Sequence, residues 1–259
     1  MKKQFLATQI ILVVMLLFYG AGAYAWQGGQ GNSKQNIPGG PGTGISQPTA
    51  ELTADEILAF EHILEEEKLA RDVYLALSEI WDISIFEYIA ASEEQHIRAM
   101  VNLGRRYGQD ISATQNAPGV FNNQEFQNYY NDLIDMGMSS PEEALSAGVL
   151  VEELDIFDIQ VSLLLIENEE FKTVLQNLLK GSRNHLRSFY ATLLAAGGNY
   201  SPEFLTQQQF DEIVNSPMER GRVDQDGNPA DSGGRGFNRG NEDHRGNQGQ
   251  CDNGECMFF

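Results

Sequence analysis

Ile89-Ala-Ala-Ser-Glu-Glu-Gln-His96 is the stretch that decides the fold. Its Glu93-x-x-His96 spacing sets a carboxylate and an imidazole one helical turn apart, in line with Ile89, Met100 and Leu103 on a single apolar face. Burying two such groups is unfavourable unless something compensates them. Four-helix bundles use this arrangement to build di-iron sites, with carboxylates and histidines projecting inward from facing helices.

Working outward, the apolar spacing predicts four long helices. Thr53-x-x-Glu56 is a capping box opening helix A, whose apolar positions Ile57, Phe60, Leu64, Tyr74 and Leu77 run to about Ile80. Helix B spans about Ser84 to Tyr107 and stops at Gly108; so short a link makes A and B antiparallel neighbours. Residues 109–122 lack periodicity, and Gln124 to Met136 reads as a short helix ended by Gly137, so the connection to the next long helix is a crossover. Helix C starts at Ser140-Pro141 and runs to about Ile166, and helix D runs from about Glu169 to Ala196, ahead of Gly197-Gly198. A last short helix covers roughly Thr206 to Val214. Aligning His96 with His185 also aligns Gly108 with Gly197, so the second hairpin echoes the first. The expected fold is all-α, a ferritin-like four-helix bundle with a long B–C crossover, short extra helices and disordered tails at both ends.

The flanks differ in composition. Lys2 and Lys3, an apolar run from Ile10 to Phe18 and the small-residue ending Ala23-Tyr24-Ala25 read as a signal peptide over residues 1–25, whose apolar run is itself too short to span a bilayer. Export to the periplasm, envelope or exterior follows, with no transmembrane segment in the mature chain. Residues 26–50 read as a disordered linker, 51–216 as the helical domain, and 217–259 as a Gly/Asn/Arg-rich disordered tail. Cys251 and Cys256, both in that tail, cannot brace the domain and read as a local bridge. The formal charge of −20 becomes −22 once Lys2 and Lys3 are removed, which argues against nucleic acid as a partner.

Within the domain, Glu67 shares a face with Phe60, Leu64, Ala70 and Tyr74 and is expected to point inward, whereas Glu65 and Glu66 are expected in solvent, like Glu79; we assign Glu67, with Glu66 as the alternative. On helix C, Glu153 lies in line with Leu150, Phe157 and Leu164, while Glu152 lies in line with Ile156, Ile159 and Leu163; we assign Glu153, with Glu152 and Asp155 as the alternatives. On helix D, His185 lies in line with Leu178, Ser182, Phe189 and Leu193, and Ser182 occupies the place of Glu93. The expected metal set is therefore Glu67, Glu93, His96, Glu153 and His185. Three carboxylates and two imidazoles suit iron, mononuclear or an asymmetric pair, and accept manganese or zinc. Open positions on such a metal would bind dioxygen, peroxide or water. Tyr74 reads mainly as a core aromatic, and His62 and His244 as surface residues.

The strings Glu65-Glu-Glu-Lys-Leu-Ala-Arg-Asp-Val-Tyr74, Ile89 to His96, Glu152-Glu-Leu-Asp-Ile156 and Gly181-Ser-Arg-Asn-His-Leu-Arg187 resemble the uncharacterised ferritin-like family called domain of unknown function 2202, over about Leu52 to Val214. More distantly, Glu67 to Tyr74 and Glu93 to His96 are similar to the first helix pair of rubrerythrins. That likeness implies iron-binding roles for Glu67, Glu93 and His96. Ser182 departs from the rubrerythrin pattern in the second pair, and no rubredoxin-like cysteine motif is present to deliver electrons. The leading expectation is an exported metal-binding protein with oxidase or peroxide-handling activity. A non-catalytic metal carrier or sensor, and a metal-free helical interaction module at the envelope, are the competing readings. No catalytic residue is assigned; a homodimer is compatible with all three, and protein partners are unspecified.

Overall fold

A computed structural model describes residues 51–230; the signal-like segment, the linker, His244 and both cysteines lie outside the described residues. Four long helices dominate: α1 (Ala54–Ile80), α2 (Ile85–Tyr107), α4 (Pro141–Leu165) and α5 (Glu169–Ala195). The short α3 (Gln124–Gly137) lies in the crossover, and α6 (Gln207–Val214) follows the last long helix. α1 packs against α2 and α4 against α5, and the two hairpins join through α1–α4 and α2–α5 contacts. Among the described residues no helix is long and apolar enough to cross a membrane.

The helix ends follow local chemistry. Thr53 and Glu56 form a reciprocal capping box at α1, and the Ser140 side chain caps α4 ahead of Pro141. Gly108 ends α2 in the left-handed conformation at φ 68°, where a Cβ would be strained. Gly137 departs from expectation: it is the last residue of α3 rather than its terminator, and its missing side chain lets α3 press on Leu77.

The crossover is tied to α1 by charged side chains. The Glu65 carboxylate accepts the Asn122 and Asn123 backbone N–H at 2.7 and 3.1 Å. Lys68, fully buried, pairs with Asp72 at 2.5 Å and donates to the Val120 carbonyl, while Asp72 accepts the Gly119 N–H at 2.9 Å. Glu65 is therefore buried rather than solvated, because the crossover folds back over it.

The folded unit also extends past residue 216. Residues 217–230, expected in the tail, lie along α5: Arg183 and Arg187 hold the Glu219 carboxylate, and Asn177 exchanges two hydrogen bonds with the Val223 backbone. Composition gave no hint of this, since the anchoring groups sit on α5 and not in the segment itself.

Candidate metal centre

Four helices bring carboxylates and imidazoles together midway along the bundle. Glu67 comes from α1, Glu93 and His96 from α2, Glu152 from α4 and His185 from α5. Glu93 occupies the middle. Its Oε2 lies 2.7 Å from His96 Nδ1, and its Oε1 lies 2.7 Å from His185 Nδ1. His96 Nδ1 is also 3.0 Å from Glu67 Oε2, and His185 Nδ1 is 3.4 Å from Glu152 Oε2. The two imidazoles stack with centroids 5.4 Å apart.

These spacings match two triads that share Glu93: Glu67, Glu93 and His96 on one side, and Glu93, Glu152 and His185 on the other. Ligands about 2.1 Å from a common metal and at right angles lie about 3 Å from one another. The angles are equally informative. Neither oxygen of Glu93 has a hydrogen-bond partner despite the two close imidazoles, and His185 Nδ1 and Glu67 Oε1 are likewise buried without one. Unpartnered buried polar atoms are rare in folded proteins and call for a specific explanation, such as an ion.

Surrounding groups fix this inner set. Tyr74, completely buried, donates its hydroxyl to Glu152 Oε1 at 2.6 Å, so it orients that carboxylate rather than serving only as core filler. Ser92 Oγ lies 2.8 Å from His185 Nε2 and anchors that edge of the ring while Nδ1 turns to the carboxylates. Gly181 matters by omission, because a Cβ there would overlap the His96 ring, 2.6 Å from Cε1. Ser182, in the place of a second Glu-x-x-His carboxylate, donates to Asp155, whose other oxygen is buried and unpartnered. Asp155 on α4 thereby supplies negative charge to the space that Ser182 leaves.

Electrostatics expresses the same crowding. Burial drives Glu67 up to about 8, with the Glu93 charge adding to it and His96 opposing it. Burial likewise lifts Glu152 to about 7, against the pull of His185 and with the push of Glu93. Asp155 is raised well above its ordinary range by burial and by the facing Glu67, Glu152 and Glu93 carboxylates. Glu93 goes the other way: burial opposes its ionisation, but His185 and His96 flank it as cations and hold it ionised. His185 in turn is raised to about 10, burial being outweighed by Glu93 and Glu152. Without a metal, the imidazoles must carry protons to offset the acids.

Of the residues singled out from sequence, Glu67, Glu93, His96 and His185 converge. Glu153 does not. Its fully buried carboxylate accepts the backbone N–H groups of Glu203, Phe204 and Leu205 and the Tyr200 hydroxyl, so no lone pair remains directed at the cluster. Glu152 takes the inner position. α4 is apolar on every side and enclosed by α1, α3 and α5, which is why periodicity could not choose between the two. His62 and Glu66, expected at the surface, instead meet Asp158 in a neighbouring cluster, and Arg71 pairs with Asp72 and Glu94.

Residues 56–217 match the family described as "Uncharacterized protein domain (DUF2202)". The chain belongs to that family. An "Uncharacterized protein MJ0754" from Methanocaldococcus jannaschii is 39% identical over 176 residues, covering 68% of this chain and 95% of the relative. The crystal structure titled "hypothetical protein MJ0754" superposes with a TM-score of 0.65 at 38% identity, over 67% of this chain and 99% of the other. Every residue of both triads falls inside the DUF2202 match.

Proposed function

We propose that this DUF2202 protein is a ferritin-like metal-binding protein whose four long helices hold a dinuclear centre, with iron as the preferred metal and manganese or zinc as substitutes. The observation that carries the reading is Glu93: one buried carboxylate with an imidazole 2.7 Å from each oxygen, and neither contact a hydrogen bond. In this reading Glu67, Glu93 and His96 would hold one ion, and Glu93, Glu152 and His185 would hold the other. The expected nuclearity is thus sharpened from one ion or an uneven pair to two ions about a shared carboxylate. Mixed carboxylate and imidazole donors suit iron and manganese. The hairpin pairing, the long crossover and the inward ligands from each helix support the ferritin-like assignment.

A bound iron pair would supply electrons to dioxygen or peroxide. The protein's own part is to hold Glu152 through Tyr74, anchor the His185 ring through Ser92, and shield the cluster from water, since Glu67, Glu93 and Glu152 are each about 1% exposed. The amino-terminal sequence supports work outside the cytoplasm.

The test is metal content and oxidant consumption of tag-free protein reconstituted with ferrous iron. A loading that falls by close to two equivalents in Glu93→Ala, and faster uptake of oxygen or peroxide than the variant sustains, are the expected results. Less than about a tenth of an equivalent of iron, manganese or zinc in the wild type would leave a metal-free helical module. Full loading with equal uptake rates in both proteins would leave a carrier or sensor.

A further inference from the structure

Beside the central cluster, nearer the surface, lies a second group of potential donors. His62 and Glu66 are one turn apart on α1, and Asp158 faces them from α4. His62 Nε2 is 2.9 Å from Asp158 Oδ2 and 4.0 Å from Glu66 Oε2. The His62 side chain is 24% exposed, whereas Glu66 is buried to 1%.

Glu66 is the residue that a purely structural reading leaves unexplained. Both of its carboxylate oxygens are buried and neither has a hydrogen-bond partner, although backbone N–H groups hold its neighbour Glu65. It faces Asp158, Asp155 and Glu67, all carboxylates. A buried acid aimed at other acids finds only a distant counter-charge, since the imidazole of His62, 4.0 Å away, is already engaged by Asp158 at 2.9 Å.

We propose that His62, Glu66 and Asp158 form a third divalent-cation site, distinct from the two triads that share Glu93. The geometry fits one ion. Donors about 2.1 Å from a metal lie about 3 Å apart when adjacent and about 4.2 Å apart when opposite, and the observed 2.9 and 4.0 Å correspond to those two relations. The charge also fits, since a neutral imidazole with two carboxylates sums to −2. One nitrogen and several oxygen donors suit manganese, ferrous iron or zinc. His62 gives the site a solvent-facing edge, and the tilted Phe126 ring 5.1 Å from its own closes one flank. This site does not depend on the central one being a metal centre.

The experiment uses the full chain. Crystals of wild type, Glu66→Gln and Glu93→Ala are prepared with zinc, anomalous maps are recorded at the zinc edge, and equilibrium dialysis counts ions per chain. The expected results are a wild-type peak between His62, Glu66 and Asp158, its loss with one equivalent in Glu66→Gln, and its survival in Glu93→Ala. Central peaks with nothing beside His62 in the wild type, or a Glu66→Gln count equal to the wild type, would overturn the proposal. A peak beside His62 with an empty centre would uphold it and refute the dinuclear reading instead. If Glu66→Gln fails to fold, His62→Ala at the partly exposed position serves in its place, with the same one-equivalent loss expected.

Discussion

Glu152 and Glu153 are adjacent on α4 and equally buried, yet their carboxylates live in opposite surroundings. Glu153 meets three backbone N–H groups and a tyrosine hydroxyl at the chain segment leading into α6. Glu152 meets Tyr74 on one oxygen, and on the other an imidazole that it shares with Glu93. The same contrast recurs on α1, where Glu65 clamps the crossover while Glu66 and Glu67 face other acids. A buried carboxylate surrounded by donors is part of the scaffold; one surrounded by acids and imidazoles must be neutralised, by protons in the metal-free protein and by a cation in the function we propose.

The contrast can be broken most forcefully at Glu153. Glu153→Ala strands several buried N–H groups and should lower stability by about 4 kcal/mol, a fall in Tm of roughly 10 °C, while the rise in Tm on adding metal persists. Melting curves with and without ferrous iron or zinc measure both quantities.

Glu93→Ala should behave in the reverse sense. The metal-free protein should melt within a few degrees of the wild type, and the central cluster's share of the metal-induced stabilisation, about 2.7 kcal/mol per site at a hundred times Kd, should be lost, leaving only what the His62 site contributes. An undiminished rise in Tm would dissolve the distinction between the two kinds of carboxylate.

A finer probe is Gly181→Ala, which replaces none of the proposed ligands. Alanine favours the helix by about 1 kcal/mol over glycine, but its methyl would displace the His96 ring, so the variant should fold well and bind metal 10- to 100-fold more weakly. Ser92→Ala, which leaves His185 Nε2 without its partner, should weaken binding about tenfold. Both affinities are accessible by competition with a chelator.

The smallest effect is in protons. Below pH 7 the metal-free protein keeps Glu67 and Glu152 protonated, since burial raises them to about 8 and about 7, and a cation must displace those protons. Above pH 8 both are ionised already. Calorimetry in buffers of different ionisation enthalpy should therefore find more protons released per metal at pH 6 than at pH 9; a release independent of pH would mean that these two acids are not ligands.

Reading the sequence located most of this and missed an instructive part. The helices of the first hairpin, the crossover and the second hairpin are laid out by capping residues and apolar spacing, and Glu67, Glu93, His96 and His185 are legible because each interrupts an otherwise apolar stripe. α4 has no stripe, so its ligand was legible only as a choice among Glu152, Glu153 and Asp155. His62 gave no signal and Glu66 stood only as the weaker alternative to Glu67, because the group that meets them, Asp158, belongs to a helix far along the chain. The packing of 217–230 was hidden for the same reason.

What the sequence by itself determined is local: where helices begin and end, and which acids and imidazoles interrupt an apolar stripe, since both follow from the 3.6-residue period and from the groups that satisfy helix ends. Only the tertiary structure decided what each buried charge faces. Adjacent glutamates on one helix differ by about 100° in direction, and whether that direction holds backbone donors or another acid depends on chain segments brought in from elsewhere.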